Sequence, residues 1–303
     1  MLTERKARSF LDPKILARLS SLPLIARRPM LGQVSGRHVS PHRGASVEFA
    51  EYRKYVPGDD LRRLDWRAFG RSDRFYIKEF EADTNLRLYL IVDTSGSMDF
   101  GSVGCSKLEY ARRLGAALAY LAVQQGDSVG LTCIADKKVQ NLPARRNPAH
   151  LTVLFDQMEQ AKCQGPTRLD ELLHELAETT RQRSLMVILS DFFLDAEQWR
   201  GCFEHLRFRK HDVAAFHLLD PEEIDFNFQR PTRFLDMEGG PAIFVEPSEI
   251  AQRYQRAVGE YLEAIRRIAL ETGVDYHRVS IDRSHESVLT DFLVARNRGS
   301  GRR

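Results

Sequence analysis

The run Leu88-Tyr89-Leu90-Ile91-Val92-Asp93-Thr94-Ser95-Gly96-Ser97-Met98 decides the fold of this chain. Its first part is unbroken apolar and aromatic sequence, which fits a strand covered on both faces better than one with a wet side. The run stops at Asp93, and Thr94, Ser95, Gly96 and Ser97 follow as the small and hydroxyl-bearing residues of a tight turn.

Helical spacing comes next: Leu108, Ala111, Leu114, Leu118, Leu121 and Ala122 recur at steps of three and four and predict an amphipathic helix. A second apolar run, Val129-Gly130-Leu131-Thr132-Cys133-Ile134, reads as a strand, and Leu169, Leu172, Leu173, Leu176 and Ala177 mark a further helix. Strands are expected at 185–189 and 213–219 with a helix at 196–206 between them. A long helix at 248–270, a strand at 274–279 and a helix at 284–295 close the pattern. Strands alternating with helices of this length predict an α/β fold: a doubly wound, mostly parallel sheet with helices on both faces.

The remaining sequence divides by composition. Residues 1–43 are basic and loop-like, with one helical candidate at 13–21, and are expected to be partly flexible. Residues 44–85 form a charged and aromatic block, expected to pack on the main domain at 86–295, and the Gly/Arg-rich tail 296–303 is expected to be disordered. No internal repeat is visible.

Lys and Arg total 45 against 42 Asp and Glu, so the charge balance makes no general case for nucleic acid. The cluster Arg27, Arg28, Arg37, His38, His42 and Arg43 offers charge for nucleic acid or acidic lipid, but it has no interleaved aromatics for base stacking, and a solvated arm is the commoner reading. No apolar run approaches the ~20 residues of a membrane helix, and no secretory signal opens the chain, so a cytoplasmic protein without a transmembrane segment is expected. The four cysteines are too widely spaced for a metal clip, which fits free thiols in a reducing compartment and argues against zinc.

In an open parallel sheet, ligands bind beyond the carboxyl ends of the strands. Three places there offer oxygen ligands: Asp93, Ser95 and Ser97 after the first strand, Thr167 before the helix at Leu169, and Asp191 after the strand 185–189. Carboxylates and hydroxyls suit a hard cation, Mg²⁺ first, with Mn²⁺ or Ca²⁺ served by the same ligand types. Neutral hydroxyls would leave the ion much of its charge and favour an anionic sixth ligand such as a partner's Asp or Glu. Other readings stay open. Asp-x-Ser-x-Ser alone can cap a helix, Thr167 with Asp170 reads as a capping box, and Asp191 can be an ordinary turn residue.

These five positions resemble the metal-ion-dependent adhesion site of von Willebrand A domains, whose sheet is Rossmann-like. The resemblance implies that Ser95, Ser97 and Thr167 coordinate an ion directly or through water and that Asp93 and Asp191 act mainly through water. The block upstream, with Phe49, Arg53, Tyr55, Gly58, Asp59, Asp60, Arg62, Asp65, Trp66 and Lys78-Glu79-Phe80, resembles the signature of the family called "domain of unknown function 58". In bacteria such proteins often accompany a MoxR-type AAA+ ATPase. The resemblance thus implies a non-enzymatic adaptor or chaperone-like accessory of such an ATPase, binding an acidic residue of its partner through Mg²⁺. Arg53, Asp59, Asp60, Arg62, Asp65 and Trp66 form a second candidate partner surface, or else a structural plug of paired charges and packed rings.

Two alternatives belong to other classes. One is a metal-dependent phosphatase using Asp93, against which stand Ser95 where a second carboxylate would serve as general acid and base, and no lysine in an obvious partner motif. The other is a structural scaffold with a vestigial metal site.

Overall fold

A computed structural model describes residues 8, 10–26, 48–54, 69–70, 75–81, 86–135 and 138–300 of the 303. The chain divides into two compact units, 29–85 and the combination of 1–28 with 86–303.

In the smaller unit, β1 (Glu48–Lys54) and β2 (Tyr76–Glu81) pair antiparallel, Glu48 opposite Glu81 and Lys54 opposite Tyr76, with an irregular register between Phe49 and Glu51. Arg53 lies in β1 opposite Ile77. Asp59, Asp60, Arg62, Asp65 and Trp66 lie outside the described residues.

The larger unit is built on β3 (Arg87–Asp93), β4 (Ser128–Ala135), β5 (Lys138–Arg145), β6 (Leu185–Ser190), β7 (Asp212–Leu219) and, past the short hairpin of β8 (Thr232–Phe234) and β9 (Ile243–Val245), β10 (Asp275–Ser280). They form a six-stranded sheet in the order β10-β7-β6-β3-β4-β5. Every neighbouring pair is parallel except β4 with β5, which turn back on each other at the edge. The α/β, mostly parallel sheet expected from the sequence is the one observed. Its central strands explain the unbroken apolar runs: every residue of β6 and β7 is buried, and Leu88, Leu90 and Ile91 of β3 are 0% exposed. Covering each such side chain contributes roughly 1.5–3 kcal/mol.

Helices α1 (Pro13–Leu19), α2 (Lys107–Gln124), α3 (Pro148–Gln160), α4 (Leu169–Thr179), α5 (Ala196–Phe208), α6 (Pro221–Asp225), α7 (Pro247–Thr272) and α8 (His285–Ser300) surround the sheet. Leu172 and Leu176 of α4, Trp199 and Phe203 of α5, and Ile265 and Ile268 of α7 share one core with Met186 and Ile188 of β6. Helix α2 packs on β3, β4 and β6 and meets α1 and α8. Because β3 has β4 on one side and β6 on the other, the connections leaving it diverge, and the crevice at its carboxyl end is the switch point where such sheets hold ligands.

Two expectations change at the termini. Part of the basic N-terminal segment is core: Phe10, Leu16, Leu19 and Leu24 are buried, Arg8 pairs with Asp156, and Arg18 pairs with Glu286 at 3.0 Å. At the other end, α8 continues through Ser300, so the first residues of the expected disordered tail are helical. Val288, Leu289, Phe292 and Leu293 are buried, and the same helical face brings round Arg296, itself 1% exposed. Its charge is tolerated there because Asp212 lies at 2.9 Å and Asp275 at 3.2 Å.

Candidate metal centre

Asp93 is the last residue of β3, 1% exposed, and its neighbours engage both carboxylate oxygens. Its Oδ1 accepts from the Ser95 backbone N–H at 2.9 Å, fixing the turn. Its Oδ2 accepts from Ser190 Oγ at 2.7 Å and from Thr167 Oγ1 at 3.4 Å, so one oxygen gathers groups from the end of β6 and from the loop before α4. Ser95 and Ser97, on the same side of the turn, have their hydroxyl oxygens 3.1 Å apart.

The turn itself is tied down. The Gly96 N–H donates to the Gly165 carbonyl at 2.8 Å, and the Gln164 N–H donates to the Thr94 carbonyl at 3.0 Å. A Cβ at position 96 would stand 1.9 Å from the Met237 carbonyl oxygen, closer than any side chain can sit, so the approach demands glycine.

Asp191 follows β6 and is 5% exposed. Phe192 beside it adopts a left-handed φ of 56°, and its N–H donates to Ser190 Oγ at 2.9 Å, so Ser190 shapes the turn as well as orienting Asp93. Asp191 Oδ2 accepts from Lys107 Nζ at 2.9 Å, and the same ammonium reaches Glu223 Oε1 at 2.5 Å. The other oxygen, Asp191 Oδ1, is buried and has no hydrogen-bond partner among the described residues.

The electrostatics follow from burial and charge count. Burial, and then the charge of Asp191, push the Asp93 carboxyl up to about 6, although the Ser190 and Ser95 hydrogen bonds pull the other way. Burial works against the Lys107 ammonium, but Asp191 and Glu223 outweigh it and hold its pKa above the ordinary lysine value. Glu238, whose Oε1 accepts from Ser97 Oγ at 3.0 Å, is also raised, by burial first. Carboxylates therefore outnumber the single ammonium in this buried region.

Such a centre fits a hard cation: every donor is oxygen, negative charge is in excess, and one carboxylate oxygen is orphaned inside it. Among the described residues no three His, Cys, Asp or Glu side chains converge as a metal cluster. The candidate set is instead the mixed one of carboxylates Asp93 and Asp191 with hydroxyls Ser95, Ser97 and Thr167. The structure gathers Asp93, Ser95, Ser97 and Thr167 through direct hydrogen bonds, with Asp191 linked by chain to Ser190 and by charge to Asp93. Thr167 forms no capping box: the N-cap position of α4 is Arg168, which makes no side-chain cap hydrogen bond, and the threonine hydroxyl turns to Asp93.

Three residues escaped the sequence reading. Ser190 stood in view beside Asp191 but carried no motif. Lys107, where no lysine was expected, had one signal: a cation in the first turn of a helix opposes the helix dipole unless something pairs it. Glu238 is brought in by the β8–β9 hairpin, whose three-residue strands have too little pattern to read.

An uncharacterized protein of Mycobacterium tuberculosis, Rv1480, is 28% identical over 294 residues, spanning 95% of this chain and 92% of that one. Among solved structures, the conserved hypothetical protein BatB from Bacteroides thetaiotaomicron aligns with 71% of this chain and 100% of its own, at 17% identity and a TM-score of 0.48. The VWA domain of SpRpn10 aligns with 69% of this chain and 95% of its own, at 13% identity and a TM-score of 0.41. The family described as "Protein of unknown function DUF58" matches residues 51–263, and the chain belongs to that family.

Proposed function

We propose that this chain is a non-enzymatic protein-binding module whose binding centre is a divalent cation, Mg²⁺ in the first instance, held by Asp93, Ser95, Ser97, Thr167 and Asp191. The observation that carries the reading is Asp191 Oδ1, buried without a hydrogen-bond partner among the described residues, in a region where burial and then the charge of Asp191 already raise the Asp93 carboxyl. A bound cation would supply a coordination position for an anionic group of a partner. The chain's own residues do the rest. Ser190 and the Ser95 N–H orient Asp93, Lys107 holds Asp191 by one oxygen while the other is buried without a partner among the described residues, and the hydroxyls offer neutral ligation. The partner is then a protein presenting Asp or Glu, and a MoxR-type AAA+ ATPase is the first candidate, with this chain as its adaptor.

The phosphatase alternative has less support. Asp93 has both oxygens engaged and is 1% exposed, which disfavours it as a nucleophile, and Ser95 stands where a second carboxylate would be needed. Among the described residues no helix is long and apolar enough to cross a membrane.

The test is calorimetric titration of Mg²⁺ into chelator-stripped protein, wild type beside Asp93→Ala. One-site binding lost in the variant supports the reading, and a pull-down with and without chelator then looks for the ATPase. Partner binding at full strength in Asp93→Ala, or in chelator, would sink it.

A further inference from the structure

The hairpin of β8 and β9 pairs Thr232 with Val245 and Phe234 with Ile243, and the loop between the strands reaches the mouth of the candidate metal centre. Its base is clamped by rings: Phe234 lies 5.6 Å from Phe226 and 5.1 Å from Phe228, and Phe226 lies 4.4 Å from Tyr254 of α7. The tip is shaped by its own backbone, with the Glu238 N–H donating to Asp236 Oδ1 at 2.8 Å and Gly239 at a φ of +101°.

The orientation of this tip runs against simple expectation. Leu235 and Met237 are left 65% and 42% exposed, while the ionisable Glu238 between them and Gly239 is half-buried. A loop on the surface ordinarily turns its carboxylate outward, because desolvating a charge is costly without compensation. Here the carboxylate is directed onto the Ser97 hydroxyl, 3.0 Å away, and the Thr167 backbone amide also favours its charged form. The Met237 carbonyl meanwhile seats against Gly96 in the turn that carries Ser95 and Ser97. Glu238 thus touches two of the three hydroxyl-bearing residues of the centre. One neutral hydroxyl and one amide are modest compensation for a half-buried carboxylate, and a cation in the centre would complete it.

We propose that Glu238 is the chain's own carboxylate ligand for the cation, standing where a partner's Asp or Glu would bind, so that a partner engages the centre by displacing the tip of the hairpin. This rests on the metal-centre reading above, and it adds a residue, a closed state and a competition to it.

Mn²⁺ serves as the probe, because its affinity and its number of exchangeable waters can both be read by magnetic resonance on the full chain. Glu238→Gln keeps the side chain's shape and its contact with Ser97 while removing the charge, and Glu238→Ala removes both; melting curves check that each variant is folded. The expected result is that the wild type binds one Mn²⁺, and that Glu238→Gln binds it about tenfold more weakly with one more exchangeable water, since site affinity follows the charge of its ligands. Excess acetate, a minimal carboxylate, should then strengthen Mn²⁺ binding in both variants and leave the wild type unchanged. Equal affinity and equal water count in the wild type and both variants would overturn the inference, leaving Glu238 a clip for the hairpin and the metal centre intact. Absence of Mn²⁺ binding in wild type and variants alike would overturn the metal-centre reading, and the inference with it.

Discussion

Replacing Lys107 with methionine should leave the stem's volume in place and remove only the ammonium, which makes it a direct probe of the charge balance beneath the site. The ammonium is 1% exposed and bridges Asp191, whose side chain is 3% exposed, and Glu223, at 28%. Breaking a buried pair by removing one partner typically costs about 3–5 kcal/mol. Glu223 can recover some water, so most of the penalty should fall on Asp191. That rehydration keeps the loss in the lower part of the range. The expected loss is therefore about 3–4 kcal/mol, or roughly 6–16 °C in melting temperature at ~2–4 °C per kcal/mol for a domain of this size. Urea denaturation in chelator measures it directly. Repeating the measurement in saturating Mg²⁺ should narrow the gap between variant and wild type, because a cation facing Asp191 replaces part of the missing charge and binding to the folded state adds stability. A loss below about 1 kcal/mol in chelator would refute the claim that Lys107 is what allows Asp191 to be buried. A full loss that Mg²⁺ leaves untouched would refute the placement of the cation beside Asp191.

Two other outcomes follow from single contacts. Ser190→Ala removes the 2.7 Å donor to Asp93 and the 2.9 Å acceptor of the Phe192 N–H, and should cost about 1–3 kcal/mol in urea denaturation together with weaker Mg²⁺ binding in the calorimeter. His211 is buried, and burial, then Arg209 and Arg183, lower its pKa to about 4, so the folded state holds the ring neutral while the unfolded chain protonates it near 6.5. Its contribution is present above pH 6.5 and is lost as pH falls toward 4, with a slope of at most ~1.4 kcal/mol per pH unit. His211→Leu should flatten that part of the stability–pH curve, and an unchanged slope would assign the acid sensitivity elsewhere.

The strands of the sheet were legible because burial on both faces keeps the runs apolar, His217 with its Tyr276 hydroxyl partner apart: 88–92, 185–189 and 213–219 fall within β3, β6 and β7 respectively. Helices α2 and α4 were legible because their apolar residues return every three or four positions. Edge strand β5 was not, since Lys138-Val139-Gln140-Asn141-Leu142-Pro143-Ala144-Arg145 faces largely outward and mixes polar residues with proline. The candidate ligands could be read from order along the chain because strand ends in a parallel sheet fall on one side. What holds them could not. Lys107 meets Asp191 and Glu223 only once α2, β6 and α6 are packed, and nothing in local sequence records that meeting. The same holds for Arg296, whose two aspartate partners lie on β7 and β10.

Lys107 also bears on how the centre would be used. Some small metal-binding domains, zinc fingers among them, fold only when the metal binds, and their apo state is unfolded. Here Asp191 is paired through one oxygen, and Asp93 is satisfied by Ser190 and the Ser95 N–H, so both can be buried before any cation arrives. The orphaned Asp191 Oδ1 and the raised Asp93 carboxyl are what remains for a cation to relieve. Folding would thereby be separated from metal binding, which a reversible binding centre requires. Chelator should then leave the far-ultraviolet circular dichroism spectrum unchanged and lower the melting temperature only by the binding term, about 2.7 kcal/mol at a hundredfold excess of metal over Kd. Collapse of the spectrum in chelator would make the cation a structural element and remove the case for exchange with a partner's carboxylate.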